Sequence, residues 1–563
     1  MRATRRRTLP RGARRRTLRV ALTCALPLAL TPPGCLAAAT GGRADAGPVA
    51  EAPRAGGGPR VIGRYRHLVV IYEENHSFDN LYGRWGPVGG DRVDGLGGAA
   101  TRARQVAQDG TPYACLPQND VNLTSPPLPV TCRDAAHGLP ASHFANRPFT
   151  IDDHLRPLDR TCPAPGAPAP ATGVRRGVTG ARPGGCTRDL VHRFYQEQYQ
   201  IHGGRQDRYV TGGDAAGLTM GVYDTRRLPI WTYLHSAGAP KYVIADRFFQ
   251  GAFGGSFLNH QWLIAGRAPV DTSAGPGGPH EGLHSVVDAA GFPAAGYPLY
   301  RPATPVKDAQ LTQACGPAAN PAVACGDYAV NTIQPGAAPQ GDGPRLPLIS
   351  AKHPTIGDRL TAKGIDWAWY SGGWADAEAG RPGPLFQYHH QPFAYFAAYA
   401  PGTPGRAHLK DETAFVTAAR KGTLPTVAFV KPYGAENEHP GYASEPDGSD
   451  HLVDLLRTVT SGPQADDTLV VVTYDEFGGQ WDHVPPPGAG SPTRGAHDAF
   501  GPGTRVPALI LGTSLRRSGV DHTVYDTTSI LATIERGLGL APVGDRDTKV
   551  PDLTGALRVA GSR

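Results

Sequence analysis

What the 563-residue sequence lacks narrows it first. Residues 1–39 contain no Asp, Glu or Lys but nine Arg. The formal charge of +7 therefore belongs to this leader, and the remainder sums to −2, so nothing argues for a mature nucleic-acid binder. The run Val20 to Leu30 is too short to serve as a permanent membrane anchor. No cysteine sits in a C-x-x-C pair, which removes the usual thiolate-metal and dithiol signatures. No internal repeat is visible.

What is present at the N-terminus reads as targeting. Arg5-Arg6-Arg7 and Arg14-Arg15-Arg16 precede the apolar run, and Ala37-Ala38-Ala39 supplies a small-residue cleavage site. Residues 1–39 are thus expected to be a signal peptide for an exported protein, periplasmic or extracellular. The paired arginines point to the twin-arginine route ahead of general secretion. Cys35 would suggest a lipoprotein, but Pro32 and Pro33 occupy the positions a lipobox gives to Leu and a small residue.

Cleavage leaves six cysteines, an even count that favours structural disulfides in an exported chain. Local pairing as Cys115–Cys132, Cys162–Cys186 and Cys315–Cys325 is the simplest of fifteen connectivities open to six cysteines. Residues 40–60 form a Gly/Ala/Pro linker. A domain is expected over 61–545, with a tail at 546–563. Gly (73) and Pro (55) concentrate loops in two insertions, 84–186 and 270–350, which hold all six cysteines.

Between these insertions strands and helices alternate. Apolar runs begin at Arg66, Tyr242, Thr426, Thr468 and Val506, each continuous in the manner of strands buried on both faces. Helical patterns cover 189–201, 228–236, 355–363, 411–421, 449–460 and 527–538, several with an N-cap residue (Thr355, Asp411, Ser449) or a following Gly. The α/β alternation predicts a doubly wound, mostly parallel sheet with helices on both faces.

Three segments carry chemistry. Tyr72-Glu73-Glu74-Asn75-His76-Ser77-Phe78-Asp79 places hard oxygen donors at the end of the first strand, where open sheets bind ligands. Tyr474-Asp475-Glu476-Phe477-Gly478-Gly479 ends another strand in adjacent carboxylates, which repel unless a cation or proton intervenes. Gly254-Gly255-Ser256 leads into an apolar helix, where free N–H groups favour an anion. Among twenty histidines, His192, the pair His389-His390 and His439 are placed to protonate a leaving group or bind phosphoryl oxygens.

From about Arg66 to Leu540 these motifs resemble, in order, the phosphoesterase family of bacterial phospholipases C and related acid phosphatases, within the alkaline phosphatase-like superfamily. The specific pieces are Glu74 to Asp79, Ser256 with Asn259, Glu438-His439-Pro440, and Tyr474 to Pro487. The resemblance implies one divalent metal ion held by Glu74, Asn75, Ser256, Asp475 and Glu476. It implies phosphate contacts from His192, His389, His390 and His439. Substrate contacts are expected from Asn259 and His260. Ser256 followed by Asn259-His260 is closer to the acid-phosphatase branch, so a phosphoserine route on a small phosphate ester is expected. A phospholipase C acting on phosphodiesters such as phosphatidylcholine is the alternative. A sulfatase would need a C/S-x-P-x-R segment, and Cys115-Leu116-Pro117-Gln118-Asn119 lacks the Arg. A non-catalytic exported binding protein would bind metal or phosphate without turnover.

Overall fold

Continuous apolar runs form the centre of the sheet, because only strands covered on both sides can dispense with polar residues. The computed structural model describes residues 59–97, 104–116, 132–137, 139–142, 144–153, 189–213, 216–269, 332–342 and 345–562. Its main sheet has eight strands: β1 (His67–Glu73), β2 (Lys241–Ala245), β3 (Trp367–Ser371), β4 (Leu409–Asp411), β5 (Val427–Lys431), β6 (Thr468–Tyr474), β7 (Ala508–Gly512) and β8 (Gly519–Asp521). They lie in the order β4-β3-β5-β1-β6-β7-β2-β8. β5, β6 and β7 are buried along their whole length, and β1 from its second residue onward.

The sheet is mixed. β7 runs antiparallel to both neighbours, β6 and β2, while the other pairings are parallel. The apolar run at Val506 was expected in a parallel strand. Burial on two faces sets its composition but says nothing of direction. β3, β4 and β8 were not anticipated. β3 is aromatic, Trp-Ala-Trp-Tyr-Ser, and lacks the Val/Ile signature.

The helices used below are α1 (Phe194–Ile201), α2 (Ser256–Ala265), α3 (Ile356–Ala362), α4 (Glu412–Lys421), α5 (Glu445–Thr460), α6 (Thr528–Leu538) and α7 (Thr554–Val559). α3 opens on a capping box between Thr355 and Asp358, and Asp411 caps α4. α5 starts earlier than its expected cap, Ser449. Ser444 accepts from the Asp447 N–H, Pro446 suits the first turn, and Ser449 Oγ instead accepts from the Ile230 N–H at 3.0 Å. α1 starts later than expected, leaving residues 189–193 outside the helix. Residues 546–562, read as a tail, contain α7, which packs beside β8 and β2.

Cys115 and Cys132 are disulfide-bonded. Cys162, Cys186, Cys315 and Cys325 lie outside the described residues, as do the signal segment and most of the linker and of both insertions. Among the described residues no helix is long and apolar enough to cross a membrane.

Candidate active site

Three adjacent central strands, β5, β1 and β6, end side by side, and their C-terminal residues build the site. β1 delivers Glu74 and Asn75, β6 delivers Asp475 and Glu476, and β5 delivers Lys431. This is the carboxyl edge of a parallel array, where ligands bind in open α/β sheets. The two acid-bearing loops touch so closely that a Cβ on Gly478 would stand 2.1 Å from the Asn75 carbonyl oxygen. Gly478 also has φ +61°, a conformation glycine adopts without strain.

Ser256 is the first residue of α2, with Gly255 as N-cap. Its Oγ lies 3.1 Å from Glu74 Oε2 and 3.4 Å from Glu476 Oε1. The first-turn N–H groups of a helix have no intrahelical partner, so the hydroxyl sits at the positive end of a ten-residue dipole. Asn75 stands between the carboxylates. With its nitrogen turned to them it donates to Glu74 Oε2 (2.6 Å) and Glu476 Oε1 (3.2 Å), and its oxygen faces His439 Nε2 at 3.1 Å.

The electrostatics follow from burying three acids together. Burial disfavours the charged form of Glu74, but Lys431, His390 and His439 outweigh it and hold the carboxyl well below its usual range. Lys431 Nζ and His390 Nε2 each lie 2.7 Å from Glu74 Oε1. Asp475 is less well compensated: His260 Nδ1 lies 3.7 Å from its Oδ2. Burial, then the charge of Glu74, push it up to about 8. Burial and Asp475 likewise raise Glu476 well above its ordinary value. Desolvation lowers His390 to about 4 and depresses His192, His260 and His389.

The donor set fits a hard divalent cation. Ser256 Oγ meets Glu74 and Glu476, Asp475 Oδ1 accepts from the Asn75 N–H beside them at 3.1 Å, and Asp475 Oδ2 is buried with no hydrogen-bond partner among the described residues. Asn75 would add its side-chain oxygen in the opposite amide orientation, which places it 3.3 Å from Ser256 Oγ. Glu74, His260 and His390 also hold their ligand atoms within 4.8 Å of one another.

The histidines converge as well. His192 Nδ1 lies 2.5 Å from the Leu190 carbonyl oxygen, and Nε2 is 3.2 Å from Glu476 Oε1. His260 donates from Nδ1 to the Ser256 carbonyl (2.8 Å) and stacks on His390 at 5.3 Å. His389 meets both rings edge-on. Asn259, expected at the substrate, is engaged elsewhere: it accepts from the Ala252 N–H and donates to the Gly254 and Gly255 carbonyls.

Two further motif acids do another job. Asp79 and Asp482 are buried against Arg505, at 3.1 and 3.0 Å, and His483 lies 2.6 Å from Asp79. This network binds the loops after β1 and β6 to each other, away from Ser256. Two contributors had no signal in the sequence. Lys431 is the last residue of β5 and carries no motif around it. Glu197 of α1 is buried and accepts from Gly254 N (2.5 Å), Thr504 N (2.6 Å) and Gln250 Nε2 (2.9 Å), fastening the loop before Ser256.

The model of the Phosphoesterase family matches residues 173–541, and the chain belongs to that family. Over 553 residues it is 24% identical to phospholipase C A of Mycobacterium tuberculosis, covering 92% of this chain and 81% of that one. It is 27% identical over 214 residues to a non-hemolytic phospholipase C of Pseudomonas aeruginosa, covering 33% and 30% of the two chains. The chain's family and relatives make it a phosphoric ester hydrolase. A Vibrio parahaemolyticus protein of the alkaline phosphatase superfamily aligns with 36% of this chain and 52% of its own, at 16% identity and a TM-score of 0.21.

Proposed function

We propose that this chain is an exported, metal-dependent phosphoesterase that attacks phosphate esters with Ser256 through a phosphoserine intermediate, on a doubly wound sheet. The observation that carries the reading is the position of Ser256 Oγ, 3.1 Å from Glu74 and 3.4 Å from Glu476 at a helix N-terminus. One divalent cation held by Glu74, Asn75, Ser256, Asp475 and Glu476 would lower the hydroxyl pKa and neutralise phosphoryl charge. The residues do the rest. Ser256 Oγ forms a bond to phosphorus as the ester oxygen departs in line. The α2 N–H groups face the phosphoryl oxygens. A histidine from His192, His389, His390 or His439 takes up the proton that Ser256 loses and passes it to the departing oxygen. Water then cleaves the phosphoserine. Asn259 and Glu197 hold the nucleophile's loop, and His260 stands beside the histidine pair.

A phosphomonoester is the preferred substrate, from Ser256 with Asn259-His260 in the acid-phosphatase pattern. The second reading, a phospholipid diester, is favoured by relatives named phospholipase C along 92% of the chain. One panel separates them: a generic phosphomonoester, a phosphodiester and phosphatidylcholine, each with and without chelator. Wild type should hydrolyse the monoester fastest and lose that activity with chelator, and Ser256→Ala should be inactive throughout. Near-normal turnover by Ser256→Ala would sink the assignment. Faster release from phosphatidylcholine would select the second reading.

A further inference from the structure

A further group of ligand atoms lies where α4, α5 and the loop after β5 meet. Glu412 opens α4, His451 lies in α5, and Glu436 lies in the loop after β5. His451 Nε2 is 2.7 Å from Glu412 Oε1 and 3.9 Å from Glu436 Oε2. All three groups offer ligand atoms within 4.8 Å of one another. Atoms about 2.1 Å from a shared ion stand roughly 3.0–3.5 Å apart, so small side-chain shifts bring this set to bonding geometry. Glu412 is only 7% exposed, and its Oε2 is buried without a hydrogen-bond partner among the described residues. A buried carboxylate oxygen with no donor is unfavourable unless something positive reaches it. One imidazole with two carboxylates, partly open to solvent through Glu436, matches three-ligand sites completed by water.

We propose that Glu412, Glu436 and His451 form a second divalent-cation site of the zinc class, separate from the Ser256 centre. The site has a mechanical consequence. Glu436 precedes Asn437, whose carbonyl accepts from the Glu74 N–H at 3.0 Å. The Asn437 side chain accepts from the His439 N–H at 3.1 Å. A cation joining Glu436 to α4 and α5 therefore steadies the loop that supports Glu74 and carries His439. None of its three ligands touches Ser256.

The test uses Zn²⁺ with the full chain, measured by calorimetric titration and by metal content after dialysis. Glu436→Gln, at a half-exposed position that leaves the fold unchanged, and His451→Ala are compared with wild type. Each variant should bind one fewer Zn²⁺ per chain, or bind the second roughly tenfold or more weakly. Hydrolysis of a generic phosphomonoester at saturating metal should persist in Glu436→Gln. Unchanged stoichiometry and affinity in Glu436→Gln would overturn the proposal, whatever the behaviour of His451→Ala.

Discussion

Lys431 is the residue on which the charge balance at Glu74 turns. It is fully buried, 2.7 Å from Glu74 Oε1, and also donates to the Glu73 carbonyl. Removing one partner of a buried pair leaves an uncompensated charge, at a cost of about 3–5 kcal/mol. Lys431→Met should therefore lose stability of that order in chelator, and added divalent cation should restore part of it, as read by urea unfolding. His483 gives a pH-dependent counterpart. Burial opposes its protonation, but the charge and hydrogen bond of Asp79, with help from Asp94, push it up to about 10. A folded pKa above the unfolded value of about 6.5 stabilises fully below pH 6.5 and ceases to do so as pH rises through 10. The melting-temperature gap between wild type and His483→Gln should be widest near pH 6 and shrink toward pH 10. The acids and the serine were legible as residues because they follow strand signals in a family order. Lys431 and Glu197 were not. A lysine after an apolar run and a glutamate inside a helix look like solvated positions until the tertiary fold buries them.

At the scale of elements, the loop from Gln250 to Ser256 decides where the Ser256 hydroxyl, the proposed nucleophile, points. Gly254 has φ +88°, and a Cβ there would meet Phe194 N at 2.6 Å. Glu197 pins the Gly254 N–H from the same helix that Phe194 opens. Glu197→Ala should lower kcat at least tenfold while leaving cation affinity within about threefold, because the carboxylate holds the loop and no ligand. Steady-state kinetics beside metal titration check this, and equal losses in both would contradict it. The sequence located the strands that carry the acids to within a residue or two. It missed β3 because aromatic residues replaced the Val/Ile pattern. It misplaced the start of α5 because Ser449 and Ser444 are equally good caps by type. It could not give the direction of β7, since two-sided burial produces the same run either way.

At the scale of the whole molecule, eight strands bring segments 400 residues apart in sequence, such as those of Asn75 and Asp475, into hydrogen-bond contact. The proposed cation at their junction would join the loops after β1 and β6 with α2 and would act on the folded state alone. Mass action then stabilises by about 2.7 kcal/mol at a hundredfold excess over its dissociation constant. The melting temperature should rise with cation concentration and fall with chelator, and Asp475→Asn should blunt the response. The most direct test of the central claim is acid quench of the enzyme during turnover, followed by mass spectrometry of the peptide containing Ser256. The account predicts phosphate on Ser256, appearing within one turnover and absent in Ser256→Ala. Steady turnover with no phosphate on Ser256, or with phosphate on another residue, would contradict it.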